Sequence, residues 1–335
     1  MQQINTVQYL RGLAALGVLI FHVSERYNLG FDIGAAGVDL FFVISGVIMW
    51  VTTDRSRVTP EAFISRRIRR VVPLYWLVTA VTFVALCLKP DFFFEHDGSW
   101  HNLFYSLAFL PSPETGLHPV VVQGWTLTYE MGFYLIFAAT LVFKGTVRLL
   151  SAIAVLTGLV VVSTMTSSPY LAIAGNPVIL EFGAGLLIGF AWCRSHLLSV
   201  SVATTVALCA VVTIAVSPYL AGDIHRALKF GLPAALLVYA MVSLEGVLAR
   251  HPFKPLLLLG NASYSLYLWH VLFGVVILAV LLRSGLPKIA FAPIEIGGAL
   301  GLSLLAYGFI EKPMQAYFSK KRKTAGLAAE TSAVA

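Results

Sequence analysis

Long apolar runs, broken by short polar or charged stretches, set the pattern of this chain. A helix that crosses a hydrocarbon core needs about 20 mainly apolar residues. Ten stretches fit, and they predict spanning helices at Val7–Val23, Gly34–Val51, Val71–Leu88, Trp125–Phe143, Leu149–Met165, Pro177–Cys193, Ser199–Val216, Phe230–Leu244, Ala262–Leu282 and Phe291–Ile310. The alternation over about ten residues that marks an outer-membrane strand is not the pattern here. The longest loop, Lys89–Gly124, is acidic and aromatic (Asp91, Glu95, Asp97, Glu114, Trp100). Its apolar stretch Leu103–Leu110 is too short to span and suits an interfacial or re-entrant helix. The expected organisation is all-α: a polytopic membrane helix bundle of about ten transmembrane helices over residues 1–318, then a basic and disordered tail over 319–335. The first span carries Arg11 and His22 and has no short basic segment with a cleavage site, so it is expected to remain as a helix and not be removed. Neither an internal repeat nor the matched broken helices of many transporters is visible.

Composition removes the soluble alternative. Of 335 residues, 58% are hydrophobic and 12% charged, against about 45–50% and about 25% in soluble domains. Cys87, Cys193 and Cys209 each lie in an apolar run and form neither a disulfide framework nor a CxxC site. The eight histidines are scattered without an HExxH pair, so no metal is expected. A net charge of +7 would suggest nucleic acid in a soluble chain. In a membrane chain it reads as topological bias, and no nucleic-acid partner is expected. With the N-terminus placed inside, 16 Lys and Arg fall on the inner side and six on the outer, so both termini are expected in the cytoplasm.

Charge within a span is costly and usually functional. In the first span Arg11 and His22 are eleven residues apart. At 100° per residue that is three turns plus about 20°, so both lie on one stripe roughly 16 Å apart along the axis. Ala14, Ala15 and Val18 lie on or beside it, which suggests a groove between a cation and an imidazole. The bland alternative is a snorkelling Arg and a packed His. In GVDLFFVISG of the second span, Asp39 is either a helix N-terminal charge or a partner of His22 or Arg26. Ser45, beside Gly46, reads more readily as a close-packing position than as a nucleophile. FISRRIRRVVPLYW holds four arginines in five positions just before a span. They are either a lipid-headgroup patch or a phosphate site, with Arg67 and Arg70 three apart on one helix face. Glu130 sits inside the fourth span and must pair or be neutral, while Trp125 and Tyr129 also suit an interface belt. His270, in NASYSLYLWH, is equally a satisfied buried histidine or a site residue. Glu181 and the pair Glu311 and Lys312 read as structural pairs or caps.

Together these pieces resemble the acyltransferase-3 family of integral-membrane acyltransferases, from about residue 5 to 313. Its hallmark, an Arg or Lys and a His with ten residues between them in the first helix, is met by Arg11 and His22 in YLRGLAALGVLIFH. GVDLFFVISG matches the second helix, and RRxxRxxPxY is met by Arg66, Arg67, Arg70, Pro73 and Tyr75. WTLTYEMGFYL and SYSLYLWH follow in order. Met131 and Gly132 stand where many members have a second Glu or Gln, and the WTLTYEM form is most similar to the exopolysaccharide-production branch. Many relatives also carry a C-terminal esterase-like domain. None is expected in these residues, so transfer is expected to finish in the membrane domain or pass to a separate protein.

The resemblance implies a bacterial inner-membrane enzyme that moves an acyl group, usually acetyl, from cytoplasmic acyl-CoA to a sugar hydroxyl outside. Acyl-CoA, a glycan or lipid-linked sugar, and membrane lipid are the implied partners; nothing fixes the oligomeric state. On this reading Arg67 and Arg70, with Tyr75, hold acetyl-CoA at its phosphates, and Arg11 holds the arm or thioester end. The arm runs along the small-residue groove to His22, which acts as general base or takes the acyl group transiently. Glu130 is the second catalytic group, and it or Asp39 orients the ring. Ser45, Trp125, Tyr129 and His270 are further orienting or substrate candidates. The competing classes are a lipid-linked-sugar flippase or proton-coupled carrier, and a non-catalytic partner in polysaccharide assembly.

Overall fold

The structure is a computed structural model and describes residues 4–54, 56, 58–89, 98–112, 116, 118–220 and 224–318. The expected tail and loop residues Asp91, Glu95, Asp97 and Glu114 lie outside the described residues. The helices are, in order, α1 (Asn5–Tyr27), α2 (Ala36–Thr53), α3 (Pro60–Leu88), α4 (Trp100–Leu107), α5 (Gly124–Thr140), α6 (Gly145–Thr164), α7 (Pro169–Ala174), α8 (Leu180–Cys193), α9 (Val200–Val216), α10 (Leu232–Ser243), α11 (Glu245–Leu248), α12 (Lys254–Asn261), α13 (Ser263–Leu281) and α14 (Phe291–Ala306). No named strand occurs among the described residues; one isolated bridge joins Ser112 and Gly116.

The chain is a polytopic helix bundle. Among the described residues, eight helical segments are long and apolar enough to cross a membrane. The other two expected spans are shorter helices: α5 with 17 residues, and Ala227–Ser243. A 17-residue helix is about 26 Å long, at the lower limit for spanning. Taking the end where α1 begins as the near end, successive long helices run alternately to the far end and back. Hydrogen bonds show this for α10: Glu245, just past it, meets the start of α1, whereas Arg226, just before it, meets the start of α2.

Local sequence explains the boundaries. α1 stops at Asn28, whose φ of 53° is the left-handed C-cap conformation, and the cap N–H donates back to Glu25 and Ser24 carbonyls. The Thr59 side chain caps α3 at its Ala62 N–H, and Pro60 occupies the first turn. With 29 residues, α3 is about 43 Å long and overshoots a hydrocarbon core of about 30 Å. Its arginine-rich start therefore lies at the near-end border. The short helix expected in the long loop is present as α4, three residues earlier than the apolar stretch. Tyr75 Oη and Trp76 Nε1 donate to the Ser106 and Leu107 carbonyls and hold it against α3.

α2 is the central helix: 78% of its span is buried, against 17% for the segment containing α9 and 22% for α6. One apolar cluster joins α2 to α3, α5, α6, α8 and α13, and a second joins it to α1, α8, α9 and α10. Its contact with α8 is a glycine crossing. A Cβ on Gly46 would lie 2.2 Å from the Phe182 carbonyl oxygen, and one on Gly185 would lie 2.0 Å from that of Val43. Two π-helical turns, Ala227–Gly231 and Tyr307–Glu311, interrupt the last third of the bundle. The second presents Glu311 to the start of α13, where it accepts from the Ser265 N–H and hydroxyl.

Candidate active site

A cavity of about 90 Å³ opens between α2, α3, α5 and α13, with Arg11 of α1 on its wall. It holds room for several waters. Arg11, Arg67, Arg70, Glu130 and Ser45, which come from four separate sequence motifs, all line it. The first step towards this is local. Arg67 and Arg70 share one face of α3, three residues apart, as does Val71 beside them. Val38, Phe41, Phe42 and Ser45 recur at helical spacing on α2, and Thr126, Leu127, Glu130 and Tyr134 do so on α5.

The polar groups are organised in two sets. Glu130 accepts from Ser45 Oγ at 3.0 Å and from Tyr134 Oη. Arg67 lies over the rings of Phe63 and Tyr134, at 5.5 and 5.9 Å from their centroids, and its buried Nε has no hydrogen-bond partner among the described residues. Arg11 donates to Ser263 Oγ at 2.8 Å and to Gln8 Oε1 at 3.3 Å. Three guanidinium groups and one carboxylate thus line the cavity, and the Glu311 carboxylate stands near Arg11 and Arg70 behind it, which leaves cations in excess. Among the described residues no group of three or more His, Cys, Asp or Glu is placed to hold a metal.

His22 lies beyond the far-end wall of this cavity. Tyr267 and Thr126 form that wall, with their hydroxyls 2.8 Å apart. The Tyr267 ring leads to that of His270 at 6.4 Å, and His270 stacks on His22 with centroids 5.3 Å apart and planes 27° apart. His22 Nδ1 is 3.3 Å from Glu25 Oε2. His270 is buried, with Nδ1 2.9 Å from the Leu266 carbonyl and Nε2 3.3 Å from Gln123 Nε2.

Several expectations change. The small residues between Arg11 and His22 do not leave a groove: Gly37 of α2 packs directly on the Ala14 carbonyl, and Ala14, Ala15 and Val18 are buried. The room lies instead across α2, α5 and α13. Glu130 and Asp39 are engaged elsewhere and do not meet the His22 ring, which lies against Phe21, Glu25 and His270. Asp39 pairs with neither His22 nor Arg26. It accepts from Arg226 Nη2 at 2.6 Å, and Arg26 pairs with Glu295. Tyr75 sits apart from the cavity, with its ring against Phe109. Trp125 and Tyr129 pack edge-on against Phe42 and do not line the cavity.

Sequence reasoning missed Tyr134, Ser263, Tyr267 and Gln123. Tyr134 had a signal, since it lies four residues after Glu130 on the same helix. Ser263 and Gln123 had none, because their partners are 252 and 147 residues away.

Comparison with known proteins follows the same outline. The family model described as an acyltransferase domain matches residues 4–308. The chain is 38% identical to the exopolysaccharide production protein ExoZ of Rhizobium meliloti (strain 1021), over 92% of this chain and 98% of that one. It is 27% identical to the peptidoglycan O-acetyltransferase OatA of Listeria monocytogenes, over 93% of this chain and 56% of that one. It is 24% identical to the O-acetyltransferase OatA of Staphylococcus aureus (strain NCTC 8325 / PS 47), over 91% and 56%. The chain therefore spans about half the length of those two acetyltransferases. No solved structure matches it.

Proposed function

This chain belongs to the acyltransferase domain family, and we propose that it transfers an acetyl group from acyl-CoA to a carbohydrate hydroxyl across the membrane. The observation that carries this reading is the convergence of Arg11, Arg67 and Arg70 on one cavity that holds a single carboxylate. Such a site suits a polyanion with a neutral arm, since guanidinium groups match phosphate oxygens in fixed fork geometry. The orphaned Arg67 Nε is a donor still in need of a partner. The names of the relatives, one in exopolysaccharide production and two O-acetyltransferases, support a carbohydrate acceptor and O-acetylation. The Lys and Arg bias supports a cytoplasmic near end and an inner-membrane location. On that orientation the donor enters from the cytoplasm and the acceptor approaches from outside.

In this mechanism Arg67 and Arg70 bind the donor's phosphates, and Arg11, tethered to Ser263, faces its arm. The thioester end passes Tyr267 to reach His22. His22 takes the proton of the acceptor hydroxyl, and the hydroxyl oxygen attacks the thioester carbonyl. The new C–O bond forms as the C–S bond breaks, and the same proton passes from His22 to the leaving thiolate. Transfer by way of an acylated His22 has the same overall balance in two steps. Glu130, fixed by Ser45 and Tyr134, holds the arginine side of the cavity in place.

Arg67→Ala removes one charge-assisted contact, worth about 1.5–3 kcal/mol. Acetyl-CoA affinity is expected to fall roughly tenfold to a hundredfold, with acceptor binding unchanged. Calorimetric titration of the protein in nanodiscs checks this; an unaltered acetyl-CoA affinity rejects the phosphate assignment.

A further inference from the structure

We propose that His270, locked in one protonation form by Gln123 and the Leu266 carbonyl, is a positioning residue that holds the His22 ring ready to accept a proton. The inference rests on the reading of His22 as the base. A carbonyl oxygen only accepts, so His270 Nδ1, 2.9 Å from Leu266 O, carries a hydrogen. The other nitrogen of a neutral imidazole is then a bare acceptor, and the Gln123 amide nitrogen lies 3.3 Å from it. Both nitrogens are occupied, and the side chain is buried. His270 therefore has no free nitrogen to offer a substrate, and what it presents to His22 is its flat face.

A neutral face under His22 has a consequence for chemistry. When His22 gains the hydroxyl proton it becomes a cation, and a second cation stacked beneath it would oppose that step. Gln123 and Leu266 keep His270 from being that second cation. The other charged groups facing this region are Glu25 and Arg26 of α1 and Glu295 of α14, and Arg26 is already paired with Glu295. Glu25 is the group left beside His22 Nδ1, so the Nε2 edge remains for the acceptor hydroxyl. The His22 side chain is 27% exposed and lies five residues before the end of α1, where an unsupported imidazole would sample several rotamers. The stack removes that freedom.

The test is acetyl transfer by the full chain in nanodiscs, with kcat, KM for acetyl-CoA and the pH profile measured for His270→Ala, His270→Phe, Gln123→Leu and His22→Ala. Misplacing a reacting group by about 1 Å costs on the order of a hundredfold in rate. His270→Ala is expected to lose about that much kcat with KM unchanged. His270→Phe, which keeps a flat ring and cannot titrate, is expected to recover at least tenfold of it, roughly, and to retain the wild-type acid limb. Gln123→Leu lowers kcat in the same direction and supplies the answer if His270→Ala does not fold. Wild-type kcat in folded Gln123→Leu and His270→Ala overturns the proposal. So does a His270→Phe as inactive as His270→Ala with its acid limb gone, because His270 would then be exchanging protons itself. An active His22→Ala is a different outcome, which defeats the reading of His22 and not only its positioning.

Discussion

Asp39, Glu181 and Arg226 meet where α2, α8 and the first π-turn come together at the far end. Asp39 is fully buried, Glu181 is 4% exposed, and the two carboxyls stand close together beside Arg226. Among the described residues no N–H or O–H donor reaches either Glu181 oxygen. Two carboxyls beside one guanidinium are neutral together only when they share one proton, and unpaired charge in a membrane interior is costly. Glu181→Gln keeps a donor for Asp39 and is expected to change stability by less than about 1 kcal/mol. Asp39→Asn removes the carboxylate that Arg226 Nη2 contacts directly at 2.6 Å and is expected to cost about 3 kcal/mol. Thermal unfolding in detergent separates the two; equal losses contradict the shared proton. This triad shows what a sequence conceals at the scale of residues. Asp39 is visible as a charge inside an apolar run, but its partner lies 187 residues away. The cavity residues are easier to find, because Arg11, Arg67, Arg70 and Glu130 are costly where they stand and so announce themselves.

At the scale of elements, the helices themselves were readable because lipid cannot satisfy a backbone amide, so each crossing must be a continuous apolar helix. What joins them was less so. The sequence presents Ser45 and Gly46 as a packing pair, and the structure divides them: Gly46 meets Phe182 and Gly185 of α8, while Ser45 turns to Glu130. Gly46→Leu is expected to destabilise the bundle by at least about 2 kcal/mol, because the carbonyl it meets is backbone and cannot move aside. Gly132 of α5 faces open space, and Gly132→Ala is expected to be neutral or stabilising by up to about 1 kcal/mol. Yields and melting temperatures of the two variants side by side check the contrast. Two kinds of element escaped the sequence altogether. α12, which crosses α1 so closely that a Cβ on Gly260 would lie 2.2 Å from the Gln8 carbonyl, sits in what reads as a loop. The π-turns leave no trace in hydrophobic period, since each adds one residue to a helix that is apolar all round.

For the whole molecule, the arrangement places two groups of candidate residues along one axis. The arginines gather on the near side of the cavity, His22 and His270 stand on the far side, and Tyr267 with Thr126 lies between them. In the proposed reaction the donor and the acceptor approach from opposite ends of the bundle and meet within it. The most direct measurement is free thiol release from acetyl-CoA by the purified protein in nanodiscs, supplied with a carbohydrate acceptor, for the wild type and His22→Ala. The proposed reaction predicts acceptor-dependent thiol release by the wild type and none by a folded His22→Ala. Equal release by both, or acceptor movement into sealed proteoliposomes of the same protein with no thiol released by either, would contradict it.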